Sequence, residues 1–134
     1  MNLKEIVAKY PTHEDFIKAV EELLLLLVEK QPDFRYNTSG NVATCRYNGP
    51  ARIIMDTYPY TEVDAGPECK GCIFGVALQN LGWDNIGELK SEVTIDRLLD
   101  FVTSDRLLMW RSIQSEQDRG RTWSEAVSIL SANT

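Results

Sequence analysis

Cys69 and Cys72 stand three positions apart in Pro-Glu-Cys-Lys-Gly-Cys-Ile-Phe-Gly, residues 67 to 75, in front of an apolar run that reads as the start of a buried helix. Three kinds of chemistry use that spacing. A dithiol at a helix start can cycle through a disulfide, because the helix dipole and a neighbouring cation such as Lys70 lower the first thiol's pKa. Two thiolates can also form half of a structural zinc site, which takes four nitrogen or sulfur ligands. Cys45 offers a third sulfur and His13 the single imidazole of the chain. The remaining option is packing: cysteine buries readily as a small apolar residue, so Cys45 and Cys72 become core and the stretch is a turn into it. A thioredoxin-type dithiol follows the first strand of a βαβ unit, whereas a hairpin-like pattern and an irregular loop precede this one. A second Cys-x-x-Cys, which would mark a zinc site, is missing. Packing is therefore the leading reading, and a thiol redox or zinc-binding protein is the alternative.

Other catalytic patterns find little support. With one histidine and no Gly-x-Ser-x-Gly elbow, a hydrolase triad has nothing to assemble. A phosphate-cradling glycine loop is also missing. Glu62, Asp64 and Glu68 alternate around Gly66 without the spacing of an EF-hand loop. Asp84, Glu88, Glu92, Asp96 and Asp100 recur at every fourth position, a negative rail if one helix carried them all. Gly87 and the N-cap candidate Thr94 break that helix, so a solvated face is the simpler expectation. Arg106, Trp110 and Arg111 lie in an Arg- and Trp-bearing C-terminal third, and those residue types most often anchor protein interfaces.

The elements that must position these groups follow from periodicity. Thr12 is an N-cap candidate, with acids in the first turn, for a helix that runs to about Lys30 and stops before Pro32. Phe16, Ile17, Val20, Leu23, Leu24, Leu27 and Val28 share its apolar face. Leu25 falls instead among Lys18, Glu21 and Glu22, as a stray exposed residue or as part of a contact with another chain or a covering loop. Residues 34 to 47 alternate around Gly40 like a hairpin, and Ala51 to Met55 reads as a third strand. Residues 56 to 70, with Tyr58, Tyr60 and four acids, have no regular pattern, and long loops in compact domains are often functional. A short helix is expected from about Gly71 to Leu81, with Gly75 allowing close backbone approach and Gly82 following its C-terminus. Helices over about 94 to 102 and 104 to 119 come next. A final helix opens with Thr122 and Glu125 in a capping box.

Composition bounds the rest. The 134 residues, 43% hydrophobic and 25% charged, fit one domain spanning 1–134. A net charge of −6 disfavours direct nucleic-acid binding, which needs a basic stripe. The longest apolar run, Leu23 to Val28, is bracketed by glutamates and too short to cross a bilayer. An odd cysteine count and an N-terminus without signal-peptide features point to the cytoplasm. The Asn37-Thr38-Ser39 sequon is then accidental.

Two segments, Cys-Ile-Phe-Gly-Val-Ala-Leu-Gln-Asn-Leu-Gly (72–82) and Gln-Ser-Glu-Gln-Asp-Arg-Gly-Arg-Thr-Trp-Ser-Glu-Ala-Val (114–127), resemble small uncharacterised proteins of actinobacteria and their bacteriophages. The resemblance implies no catalytic residue and no cofactor. It does imply a phage or prophage accessory setting, in which binding host machinery is common. The expectation is thus an α+β domain, mostly helical with a short antiparallel hairpin or three-stranded sheet, that acts on a host or defence factor by binding protein. Leu25, Tyr58, Tyr60, Arg106, Trp110 and Arg111 are the candidate contact residues, and a homodimer is compatible with them. Capture of a small ligand or nucleotide by the 56 to 70 loop is a further alternative.

Overall fold

A computed structural model describes residues 1–54, 62–84 and 93–132 of the chain. The order is α1 (Leu3–Ala8), α2 (His13–Lys30), β1 (Arg52–Ile54), β2 (Glu62–Asp64), α3 (Ile73–Asn80), α4 (Ile95–Leu98), α5 (Arg106–Asp118) and α6 (Trp123–Ala132). This is a mostly helical α+β domain with a two-stranded antiparallel sheet, in which Ile53 faces Val63. Helix α2 packs against α3 and α6, and α5 against α4 and α6. Phe16, Val20, Leu24, Phe74, Leu78, Trp110 and Ala126 fill the space between them.

Helix α2 forms as its sequence predicts. The Thr12 hydroxyl accepts from the Asp15 backbone N–H at 3.1 Å, and Phe16, Ile17, Val20 and Leu24 are buried. Helix α1 is an element the periodicity missed. Six residues are too few for a hydrophobic period to stand out, yet Asn2 and Glu5 form a capping box there. Gly82, with φ of 106°, ends the turn after α3, where a side chain would be strained. Gly75 lets α3 lie directly on the Tyr47 carbonyl, which a Cβ at that position would strike. Helix α4 is shorter than the sequence predicts.

The hairpin expected over 34 to 47 is corrected. Tyr36, Ala43, Cys45 and Tyr47 are buried, so the alternation does report burial, but the backbone partners lie elsewhere. Thr44 makes an isolated bridge to Arg52, and Arg35 to Thr122. The Tyr36 hydroxyl donates to Gly49 O at 2.7 Å and accepts from Arg46 N at 2.9 Å. The Asn37 side chain donates to Asp118 O at 2.6 Å and accepts from Ser39 N at 2.9 Å. Buried and bonded in this way, Asn37 has no free amide for the sequon around it to present.

Buried side-chain amides of α5 complete the starts of two other helices. Neither Cys72 nor Thr94, the N-cap residues of α3 and α4, makes a side-chain cap bond. Instead, Gln117 Oε1 accepts from Ile73 N at 2.7 Å and Gln114 Oε1 accepts from Ile95 N at 2.8 Å. Gln117 Oε1 also accepts from the Trp123 indole at 3.1 Å. Gln114 Nε2 donates to the Tyr47 hydroxyl at 2.9 Å, which donates in turn to Val93 O at 2.6 Å. At the start of α6 four donors are placed: Thr122 N on Glu125 Oε1, Trp123 N on Phe34 O, Ser124 N on Pro32 O and Glu125 N on Thr122 Oγ1.

Two predictions follow from these caps. Gln117→Leu strands two buried donors and should lower stability by about 3 kcal/mol. Urea denaturation should show a lower midpoint at unchanged slope, and an unchanged midpoint would refute the assignment. The second concerns Glu125, whose carboxyl is held below its ordinary 4.5 by the Thr122 backbone N–H first and the Thr122 hydroxyl second. A carboxyl depressed in the folded state adds stability that is complete above its unfolded pKa and disappears as pH falls through the folded one. The stability advantage of wild type over Glu125→Gln should therefore be present at neutral pH and shrink in acid melts below pH about 4.5. A difference that is constant with pH would contradict it.

Candidate functional site

The polar face of α2 carries Glu14, Lys18, Glu21, Glu22 and Leu25, spaced at three or four residues and therefore stacked along one side of the helix. The start of α5 approaches this face and is fastened to it. Arg106 and Trp110, one turn apart on α5, both donate to Glu21 Oε2, the guanidinium at 2.7 Å and the indole at 2.8 Å. The Glu21 carboxylate in turn sustains the Arg106 charge. At the beginning of α2, His13 Nδ1 accepts from Thr103 N at 2.8 Å, which brings the approach to α5 alongside. That acceptor role places the neutral imidazole's proton on Nε2.

Alongside these ties lies a groove of about 440 Å³ that runs from Glu14 and Asp15, past Ile17 and Glu21, to Leu25 a turn beyond the Glu21 tie, with Arg106 as its wall. Leu25 is 51% exposed, and its neighbour Leu26 is 50% exposed. Four carboxylates and two cations line the groove, with no hydroxyl, thiol or imidazole among them. A hollow of about 400 Å³ beside Glu116, Arg121 and Glu125 is bordered by side chains already paired, at 3.5 and 3.6 Å from Arg121. A hollow of about 100 Å³ adjoins Thr44, Cys45 and Gln114.

The structure brings Leu25 and Arg106 to one groove. Trp110 is fully buried, with its ring 5.4 Å from that of Phe74. It is therefore corrected from a surface anchor to a core residue whose indole N–H orients Glu21. Arg111 lies outside the groove, 3.9 Å from Asp96 of α4. Tyr58 and Tyr60 lie outside the described residues, as do Glu88 and Glu92 of the acidic series. Glu21 is the residue that sequence reasoning passed over. It read as one more acid on a solvated face, and only the approach of α5 makes it a shared acceptor.

The cysteines resolve differently from a Cys-x-x-Cys dithiol. Cys72 is joined to Cys45, with Cα atoms 5.8 Å apart, and both are buried in the core. Cys69 is the free thiol, donating to Gly71 O at 3.4 Å, and burial pushes its pKa up. Among the described residues no three His, Cys, Asp or Glu side chains converge on a metal position. His13 is engaged at Thr103, apart from the cysteines in its bonding.

No family model, curated protein or solved structure matches the chain. No helix among the described residues is long and apolar enough to cross a membrane.

A thiol whose pKa burial has raised is a poor nucleophile at neutral pH. Cys69 should accordingly react slowly with iodoacetamide in the native protein at pH 7 and faster as pH rises, as mass spectrometry of the intact chain would record. Rapid alkylation at pH 7 would instead mean an activated thiol and return the Lys70-flanked motif to consideration as a reactive site.

Proposed function

We propose that this is a protein-binding domain whose contact surface is the α2 groove. The observation that carries the reading is Leu25, held half-exposed at the end of a groove whose opposite wall, Arg106, is fixed by Glu21. An exposed leucine alone is ordinary. A leucine one turn beyond the Glu21 tie, in a groove whose Arg106 wall is held in place, is a surface ready to take a side chain from another molecule at little ordering cost.

The setting we propose is that of a small acidic modulator, phage-encoded and acting on a host or defence factor, in line with the resemblance of residues 72–82 and 114–127. A cytoplasmic location belongs to the same proposal. In a reducing compartment Cys45 and Cys72 would stand as two buried thiols, which burial keeps inert. The Leu25 and Leu26 surface leaves a homodimer as a second form of the same contact.

A photoreactive side chain in place of Leu25 should cross-link to discrete protein species in lysate of the source cell or host. The same group in place of Glu68, exposed in the loop before α3 and outside the groove's lining, should not. Equal labelling from both positions, or none from Leu25, would refute the groove as the contact surface.

A further inference from the structure

We propose that the occupant of the α2 groove is a basic amphipathic helix from another protein, lying along α2 with an apolar side chain at Leu25 and cations toward Glu22 and Glu14. This rests on reading the groove as a docking surface, and adds the chemistry of what docks.

Length and period along α2 match a helix. Glu14 and Leu25 are eleven residues apart on one helix, a span of about 16 Å. Contacts repeated at three- and four-residue intervals over that distance match a partner that presents side chains at the same intervals, which is the geometry of a helix laid in a groove. An extended segment would present alternate side chains about 6.6 Å apart, a longer repeat than the helical turn of about 5.4 Å, and meet the stripe out of step.

The charge of the groove selects a basic partner. Carboxylates outnumber cations four to two along the groove, and one of those cations, Arg106, is already engaged by Glu21. Glu22 enters no ion pair among the described residues, Glu14 acts on the Arg106 charge without a salt bridge to it, and Lys18 is the groove's one other positive group. An incoming lysine or arginine therefore meets a field that favours it, whereas an acidic segment is repelled. The whole chain, at −6, adds to that field.

The same net charge argues against a second copy of this chain as occupant. Two molecules of −6 repel at a distance, and the apolar contact on offer is limited to Leu25 with Leu26 beside it.

The probe is a fluorescein-labelled synthetic helix of leucines and lysines in amphipathic register, with a matched peptide carrying glutamate for lysine. Anisotropy titration should show the basic peptide binding wild type more tightly at low salt. Its affinity should fall about tenfold in Glu22→Lys and about tenfold in Leu25→Ala. Both positions are exposed, and unchanged thermal melts would show the fold intact. Glu68→Lys, at an exposed position of the loop before α3, makes the same change in net charge outside the groove and should leave affinity within about twofold.

Equal weakening by Glu68→Lys and Glu22→Lys would reduce the effect to net charge and overturn the proposal, as would tight binding of the acidic peptide or failure of the basic one to bind. Weakening by Leu25→Ala without weakening by Glu22→Lys would overturn the basic partner while sparing the docking surface. Binding indifferent to both substitutions would overturn the docking surface as well. A dimer in sedimentation that Leu25→Ala dissolves would assign the groove to a second copy.

Discussion

Two glutamine amides on one face of α5 hold the described structure in register. Gln114 and Gln117, a turn apart, each accept from the first backbone N–H of a different helix. A helix start buried without a side-chain cap leaves donors that water cannot reach. Here the cap arrives from a neighbouring helix, so α3 and α4 can begin against α5 only at the positions where these amides sit. The Trp123 indole on Gln117 adds the start of α6 to the same node, and Tyr47 joins Gln114 to the loop before β1. Buried amide networks hold a single arrangement well because every alternative leaves a group unpaired.

That node fixes where α5 lies, and α5 in turn shapes the groove. Its first two turns deliver Arg106 and Trp110 to one carboxylate oxygen of Glu21. The indole is buried and the guanidinium partly exposed, so Glu21 belongs to the core on one side and to the groove on the other. The surface near Leu25 is thus held by contacts that begin inside the protein. A groove built in this manner keeps its shape when empty, which is what binding without a large ordering cost requires.

The segment from 34 to 47 shows how much of a domain can be ordered without regular structure. Tyr36 and Asn37 take over the role of a strand ladder, bonding backbone groups across the loop and onto the end of α5. Cys45 reaches Cys72 from this same segment, and the α3 backbone lies on Tyr47 through Gly75. A loop anchored at that many points can carry buried residues as a strand does. That is why its alternation resembled a hairpin.

The long amphipathic helices and their caps were legible in the residues themselves. Thr12, the Phe16 to Leu24 stripe, the Thr122 and Glu125 box, Gly75 and Gly82 act through neighbours in sequence or through backbone conformation, and these are local matters. Leu25 was legible as an anomaly, since an apolar residue among Lys18, Glu21 and Glu22 breaks the period. Its companion was not. Whether Glu21 meets solvent, a lysine or the start of α5 depends on a helix more than eighty residues away in the chain. The roles of Gln114 and Gln117, the pairing of Cys72 with Cys45 in place of Cys69, and the burial of Trp110 were likewise settled only by packing. The sequence determined which faces are apolar and where helices begin and end, because those follow from side-chain period and local capping. Tertiary structure alone decided which polar groups meet, because a buried donor or acceptor takes whichever partner the packed helices bring within reach.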